Sequence, residues 1–209
     1  MSRFLMVDVG AGTMDVLYYD DRSGINYKAV VKSPVRYMSE RAAQLRGNVL
    51  ITGREMGGGA LARILAKHTE TAEVVMTRSS ALTISHDPAR VQSLGIRIID
   101  DDEARSIPAL ESYTRLLLGD LQKNHLEQIV QDLGVPFEFD VVAICAQDHG
   151  MPPGGVSHLD YRHNLFKNRL DRQPFPHTLL YAADEVPQTS GCGPSWKTRK
   201  PSFPPGGFM

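Results

Sequence analysis

The sequence is short of cysteine, of long apolar runs and of any excess of charge. Its 209 residues include two cysteines, too few for a disulfide framework or a multi-cysteine metal site. No apolar run is long enough to cross a bilayer, and the start of the chain enters an apolar strand instead of a signal peptide. With 23 basic and 24 acidic side chains, no net field favours nucleic acid or an anionic membrane as partner. These absences predict a reduced, soluble, cytoplasmic protein.

Apolar residues make up 42% of the chain, which is ordinary globular composition, and they are arranged in short runs. Two runs flank Gly10-Ala11-Gly12, and a third follows a polar turn, which predicts an antiparallel meander of three strands. Helical and strand patterns alternate from Ser33-Pro34 onward, and this order predicts an α/β fold with a mixed sheet and flanking helices. The last strong run, Phe139 to Ala146, is nearly all apolar and predicts a strand buried on both faces, with Cys145 inside it.

Ligands of such sheets bind where strand ends meet glycine-rich turns. Three strand ends in the sequence fit this description: residues 8–15, 53–59 and 147–150. Each carries glycine together with polar or charged side chains. These three segments are therefore the candidate binding sites.

The first segment, Asp8 to Asp15, has the residues of a phosphate-binding turn. Gly10, Ala11 and Gly12 would let peptide N–H groups approach a phosphate closely, and Thr13 adds a hydroxyl donor. Asp8 would hold Mg²⁺, through water, since Mg²⁺ takes few protein carboxylates. Asp15 falls on the same face as Thr13 if β alternation holds, and is a second candidate metal ligand. The alternative is a plain hairpin with two solvated aspartates.

The stretch DVGAGTMDVLYYD resembles the phosphate-binding hairpin of the actin, hexokinase and heat-shock-chaperone ATPase superfamily. There an Asp-x-Gly-x-(Gly/Thr)-Thr signature joins the first two strands of a ribonuclease-H-like fold. The predicted meander followed by helix–strand alternation fits that fold. The resemblance implies ATP and Mg²⁺ as cofactors, bound in a cleft between two similar lobes.

Further motifs resemble one uncharacterised family of that superfamily, often labelled pyruvate formate-lyase activating enzyme-like. They are Met56-Gly57-Gly58-Gly59, Ala81 to Ile84 before His86-Asp87, and Ala146 to Gly150. The label's chemistry does not transfer, because a radical activase needs three cysteines for its iron–sulfur cluster. This sequence has only Cys145 and Cys192.

The other two strand ends supply further candidates. Gly57, Gly58 and Gly59 lead into a helix and are interpreted as an anion contact, or alternatively as a flexible turn. Gln147, Asp148 and His149 follow a buried strand; the resemblance implies that Gln147 or Asp148 orients the water attacking a γ-phosphate. His149 is a candidate proton acceptor. The alternative is a turn capped by Asp148 and His149.

The C-terminal residues differ from the rest. Residues 188–209 contain no Leu, Ile, Val, Asp or Glu, and hold the only Trp. We interpret residues 1–187 as one ribonuclease-H-like lobe and residues 188–209 as a disordered or out-of-frame tail. No second hairpin of the superfamily type follows the first, so the lobe is expected to be C-terminally truncated.

Three functions remain open at this stage. The first is an Mg-ATP-binding lobe of an ATPase or phosphotransferase with an unknown acceptor. The second is a non-catalytic, nucleotide-responsive module that signals to a protein partner or a second lobe. The third is an inactive truncated fragment.

Overall fold

The structure, a computed structural model, describes residues 2–55, 57–106, 112–146 and 155–180. The chain divides into two compact units: unit 1 comprises residues 1–8, 16–29 and 129–209, and unit 2 comprises residues 9–15 and 30–128. Its strands and helices are, in chain order, β1 (Arg3–Val9), β2 (Thr13–Asp20), β3 (Ile25–Lys32), α1 (Pro34–Ala43), β4 (Val49–Arg54), α2 (Gly59–His68), β5 (Val74–Thr77), α3 (Arg78–Ala81), α4 (Pro88–Gln92), β6 (Arg97–Ile99), α5 (Glu103–Ser106), β7 (Thr114–Gly119), α6 (Lys123–Asp132), β8 (Val141–Ala146), α7 (His158–Arg172) and a 3-10 helix (Pro176–Leu179).

One sheet is mixed and has the strand order β3-β2-β1-β8. Its meander β1–β3 is extended by β8, which lies beside β1. The buried face of β2 follows the two-residue period of a strand, with Met14, Val16 and Tyr18 at 1–2% exposure. Within unit 1, the ring of Tyr18 packs edge-on against Phe139, with the ring centroids 5.9 Å apart. Aromatic packing of this kind holds the strands of unit 1 on a common core.

The second sheet lies in unit 2 and is parallel, in the order β6-β5-β4-β7. β5 and β6 succeed β4 on one side, and β7 returns to the other side of β4. The strand order therefore reverses between β4 and β7, which is the topological switch point where open parallel sheets bind ligands.

Both faces of the two central strands, β4 and β5, are buried, as expected for parallel strands. Val49 and Ile51 of β4 face a core that includes Leu61 and Leu65 of α2, while Leu50 faces a smaller cluster on the opposite side. All five of these side chains are at most 1% exposed. β4 is thus packed on both faces, and the register of β7 on β4 sets the relative positions of their carboxyl ends.

The prediction of an α/β fold with a mixed sheet is confirmed, but the strands form two sheets where the sequence analysis expected one. The helices α3 and α5 were not predicted. Each has four residues, too few for a helical period to show in the sequence.

The prediction that the strand 139–146 is buried on both faces is wrong. β8 begins at Val141, Val142 is buried, and Cys145 is exposed. β8 is the terminal strand in the order of its sheet among the described residues, and the burial of its side chains depends on what packs on its two faces, which the composition of the strand does not show.

Candidate functional site

The turn between β1 and β2 is exposed from Gly10 through Thr13. The peptide N–H of Gly10 donates to the carbonyl of Thr13 at 2.9 Å, closing the hairpin. A Cβ at Gly10 would lie 2.9 Å from that carbonyl oxygen, whereas a Cβ at Gly12 would meet nothing within 4 Å. Gly10 is thus required by the turn itself, while the space beside Gly12 is open.

Ser33 stabilises the same turn from the start of α1. Its side chain is buried at 0% exposure, and its hydroxyl donates to the carbonyl of Ala11 at 2.9 Å. The peptide N–H of Ser33 donates to the carbonyl of Gly12 at 3.2 Å. The sequence correctly placed a helix start at Ser33-Pro34, but this hydroxyl makes no cap bond to α1 and binds the turn instead. Two carbonyls of the turn are thereby engaged by one residue.

The residues that follow the turn alternate between exposed and buried. Thr13 and Asp15 are exposed, and Met14 is buried at 1% exposure. Thr13 and Asp15 therefore share one face of β2, as the sequence analysis expected. A hydroxyl and a carboxylate on one exposed face are suited to a solvated phosphate or a hydrated cation.

Asp8 is exposed near the end of β1, and within unit 1 it is close to Cys145 of β8. Partial desolvation raises the pKa of the Cys145 thiol, and the negative charge of Asp8 together with a hydrogen bond between the two side chains raises it further. The interpretation of Cys145 as a buried, purely apolar residue is wrong, since the residue is exposed. The thiol is a neighbour of the candidate metal ligand.

A second group of functional side chains lies in unit 2, at the carboxyl edge of the parallel sheet. Glu55 directly follows β4 and is 3% exposed; Asp120 directly follows β7 and is 8% exposed. Burial and the negative charge of Asp120 raise the pKa of Glu55 to about 8, while the peptide N–H of Gly119 acts in the opposite direction. A buried pair of carboxyl groups at a switch point is a marker of a functional site.

The glycine segment after Glu55 packs closely on the loop that follows α3. The peptide N–H of Glu55 donates to the hydroxyl of Thr83 at 3.2 Å. A Cβ on Gly58 would lie 2.1 Å from the carbonyl oxygen of Thr83, and Gly57 has a φ of +85°. Gly59 has nothing within 4 Å of its Cβ position. The positive φ of Gly57 and the close approach of Gly58 to the Thr83 backbone therefore account for these two glycines. α2 begins directly after them, at Gly59.

The next strand end along the sheet is polar as well. After β5, the peptide N–H of Ser79 donates to the carboxylate of Asp101 at 3.1 Å, and the hydroxyl of Ser79 donates to it too. The guanidinium Nε of Arg54 donates to the carbonyl of Ser79 at 3.4 Å. Polar side chains thus follow β4, β5, β6 and β7 at one edge of the sheet.

The sequence analysis missed Glu55 and Asp120. A signal was present, because each acidic residue directly follows an apolar run with a glycine at or near its end: NVLITGRE and TRLLLGD. The sequence could not show that the two runs are adjacent strands.

Three predicted site residues, Gln147, Asp148 and His149, lie outside the described residues, as does the proposed domain boundary at residue 187. The sequence shows only that these three residues directly follow β8. Over the described ranges, no group of three or more His, Cys, Asp or Glu side chains is placed to hold a metal ion. No helix in the described part of the chain combines the length and apolarity needed to cross a membrane.

Residues 56–191 match the family described as "Putative pyruvate format-lyase activating enzyme (DUF1786)". The match covers well over half of the chain; it includes Gly57–Gly59 and Asp120, and it begins after the Gly10–Thr13 turn. No curated protein matches the sequence.

Proposed function

The chain belongs to the DUF1786 family, and we propose that it is an Mg²⁺-dependent ATP-binding lobe of the actin-like ATPase kind. The observation that carries the proposal is the exposed turn Gly10–Thr13, stabilised by Ser33 and open beside Gly12. A phosphate-binding turn needs a fixed backbone and open access; this turn is held by hydrogen bonds from Gly10 and Ser33 and is exposed.

The strand order supports the ribonuclease-H-like part of the proposal. In β3-β2-β1-β8, a meander is extended by a strand beside β1, which is the arrangement implied by the resemblance to the superfamily. The parallel sheet of unit 2 lies between β3 and α6 in the sequence. We assign it as an addition to that fold and not as part of its first sheet.

In this proposal the residues of the turn have separate roles. The peptide N–H groups of Ala11 and Gly12 and the hydroxyl of Thr13 hold the phosphates. Gly10 allows the turn to form, since its own N–H is bonded to the carbonyl of Thr13. Asp8 and Asp15 bind the hydrated Mg²⁺, which would neutralise phosphate charge when bound. Carboxylates and a hydroxyl are the donor set that Mg²⁺ and phosphate require.

Gln147 or Asp148 would orient the attacking water, with His149 as proton acceptor. These three residues directly follow β8, the neighbour of β1. Positioning is the main requirement of phosphoryl transfer, so a residue at the end of a strand next to β1 is suitable. The acceptor of the phosphoryl group is not specified by this site.

The activity in the family's description is not part of the proposal. An iron–sulfur cluster is held by several Cys thiolates, and the sequence contains two cysteines, Cys145 and Cys192. The thiol of Cys145 is beside Asp8, where a metal–nucleotide complex would bind.

Nucleotide-dependent thermal stabilisation tests the proposal. ATP with Mg²⁺ should raise the melting temperature of the wild type, because a ligand that binds the folded state stabilises it. Gly12→Ala should not lower the melting temperature without nucleotide, since its Cβ has open space, and should lose the ATP effect because that space is the proposed phosphate position. Asp8→Asn should lose the dependence on Mg²⁺.

The matched control is Asp21→Asn, which changes an exposed aspartate in the other turn of the meander. It should leave the ATP effect unchanged. Stabilisation by ATP that survives both Gly12→Ala and Asp8→Asn would reject the assigned site, and no stabilisation at millimolar ATP would reject nucleotide binding. ATP binding without phosphate release would favour a nucleotide-responsive module over an ATPase.

A further inference from the structure

The carboxyl groups of Glu55 and Asp120 are brought together by the topology of unit 2. Arg54 is in register with Gly119 at the ends of the adjacent parallel strands β4 and β7. Glu55 and Asp120 are therefore the next pair of residues beyond these two strands. The strand order reverses between these two strands. A crevice at the carboxyl ends of the strands is expected there.

The carboxylate of Glu55 lacks the partners that a buried polar group normally has. The residue is 3% exposed, and neither Oε1 nor Oε2 accepts a hydrogen bond among the residues that the structure describes. The peptide N–H of Gly119 is near enough to affect the pKa of Glu55, but it is not in hydrogen-bonding geometry. Buried polar groups are otherwise almost always satisfied, so these two oxygens need a ligand.

The charge around Glu55 indicates the sign of the charge that such a ligand would carry. Among the residues that the structure describes, the charged side chain that influences its pKa is another acid, Asp120. Two carboxylates out of water repel each other, and the cost of burying them is relieved by a cation or by protonation. A buried acid pair in which both Glu55 oxygens lack a hydrogen-bond partner among the described residues is therefore suited to a positively charged ligand.

The backbone around the pair is held in place, as a binding site requires. A Cβ on Gly53 would lie 2.2 Å from the carbonyl oxygen of Leu118, so β4 and β7 approach closely just before the two acids. On the other side, the Thr83 hydroxyl accepts the peptide N–H of Glu55. These contacts limit displacement of the backbone that carries Glu55.

We propose that Glu55 and Asp120 together bind one divalent cation of the Mg²⁺ or Mn²⁺ type, with water completing its coordination. These ions are commonly held by one or two carboxylates and keep several waters, which agrees with two acidic ligands at this edge. Zn²⁺ is disfavoured because it prefers nitrogen and sulfur ligands. The site is in unit 2 and involves none of the residues of the Gly10–Thr13 turn, so it stands or fails independently of the nucleotide proposal.

Mn²⁺ binding, followed by electron paramagnetic resonance and titration calorimetry without nucleotide, tests this site. The measurement is made on the Asp8→Asn, Asp15→Asn double variant, which removes the candidate ligands of the hairpin. This background should still bind one Mn²⁺. Adding Glu55→Gln or Asp120→Asn should weaken the affinity by about tenfold or more, while Mg²⁺ should compete for the site.

The control is Glu40→Gln, which removes an exposed carboxylate on α1 that pairs with Lys32. It should leave Mn²⁺ affinity unchanged. Circular dichroism and the melting temperature without metal identify any variant that is unfolded. If Glu55→Gln or Asp120→Asn is unfolded, the other of the two, together with the Mn²⁺-induced rise in melting temperature of the background, tests the site. The proposal would be overturned if the background did not bind Mn²⁺, or if Glu55→Gln and Asp120→Asn bound Mn²⁺ as tightly as the background does. Either result would leave a protonated acid pair.

Discussion

Two adjacent glycines, Gly58 and Gly59, should respond in opposite directions to the same substitution. A Cβ on Gly58 would lie 2.1 Å from the carbonyl oxygen of Thr83 and 3.1 Å from Cα of Ile84. Both are backbone atoms, so no side-chain rotation relieves the overlap. Gly59 is the first residue of α2 and has nothing within 4 Å of its Cβ position.

The magnitudes follow from these two environments. Inserting a methyl group into packed structure costs about 1–3 kcal/mol, and the overlap at Gly58 involves backbone, so Gly58→Ala should fall at the upper end. Gly59→Ala should stabilise by about 0.4–1 kcal/mol, because alanine loses less backbone entropy on folding. The two variants should therefore differ by roughly 2–4 kcal/mol in the free energy of unfolding.

Urea denaturation followed by circular dichroism measures this difference. With an m-value of roughly 2 kcal/mol/M, the midpoints of the two variants should be separated by roughly 1 M or more. Gly12→Ala, which also has open space, controls for the general effect of replacing an exposed glycine. Equal midpoints for Gly58→Ala and Gly59→Ala would refute the packing of residues 57–59 against the loop at Thr83.

Three further predictions concern the two sites. The pKa of Glu55 is raised from 4.5 to about 8, so the folded protein holds this proton more tightly than the unfolded chain does. In buffer that contains a metal chelator, the stabilisation from this proton should be complete below pH 4.5. It should be lost as the pH rises to about 8. Glu55→Gln should flatten that slope in urea denaturation, and an unchanged slope would assign it to other groups. In a Cys192→Ser background, ATP and Mg²⁺ should slow the labelling of Cys145 by maleimide, since the thiol is beside Asp8. Equal labelling rates with and without nucleotide would place the nucleotide elsewhere. Ser33→Ala should cost about 1–2 kcal/mol in unfolding free energy by removing a buried hydrogen bond and should weaken ATP binding, whereas unchanged affinity would show that the turn does not need this support.

Local patterns accounted for most of the secondary structure. The glycine turn at residues 10–12 and the helix start at Ser33-Pro34 depend on neighbouring residues alone, and both are present. Alternation along β2 correctly put Thr13 and Asp15 on one face. These features could be predicted because the interactions behind them span only a few residues.

Burial and the pairing of distant strands were less predictable. The composition of residues 139–146 indicated a strand but not its place in the sheet, and for that reason Cys145 was interpreted as buried. The glycines Gly57 and Gly58 were interpreted as ligand contacts, although the structure gives each a backbone reason. Whether a glycine serves a ligand or a close approach depends on residues that lie far away in sequence.

The sequence by itself determined the α/β character, the exposed hairpin and the chemical types at each strand end, since these follow from composition and short-range periodicity. Only the tertiary structure decided that the strands form two sheets and that β4 and β7 are neighbours. That pairing brings Glu55 and Asp120 together across 65 positions of the chain, and it withdraws both carboxyls from water. The order of strands in a sheet results from packing over the whole unit, and no local pattern specifies it.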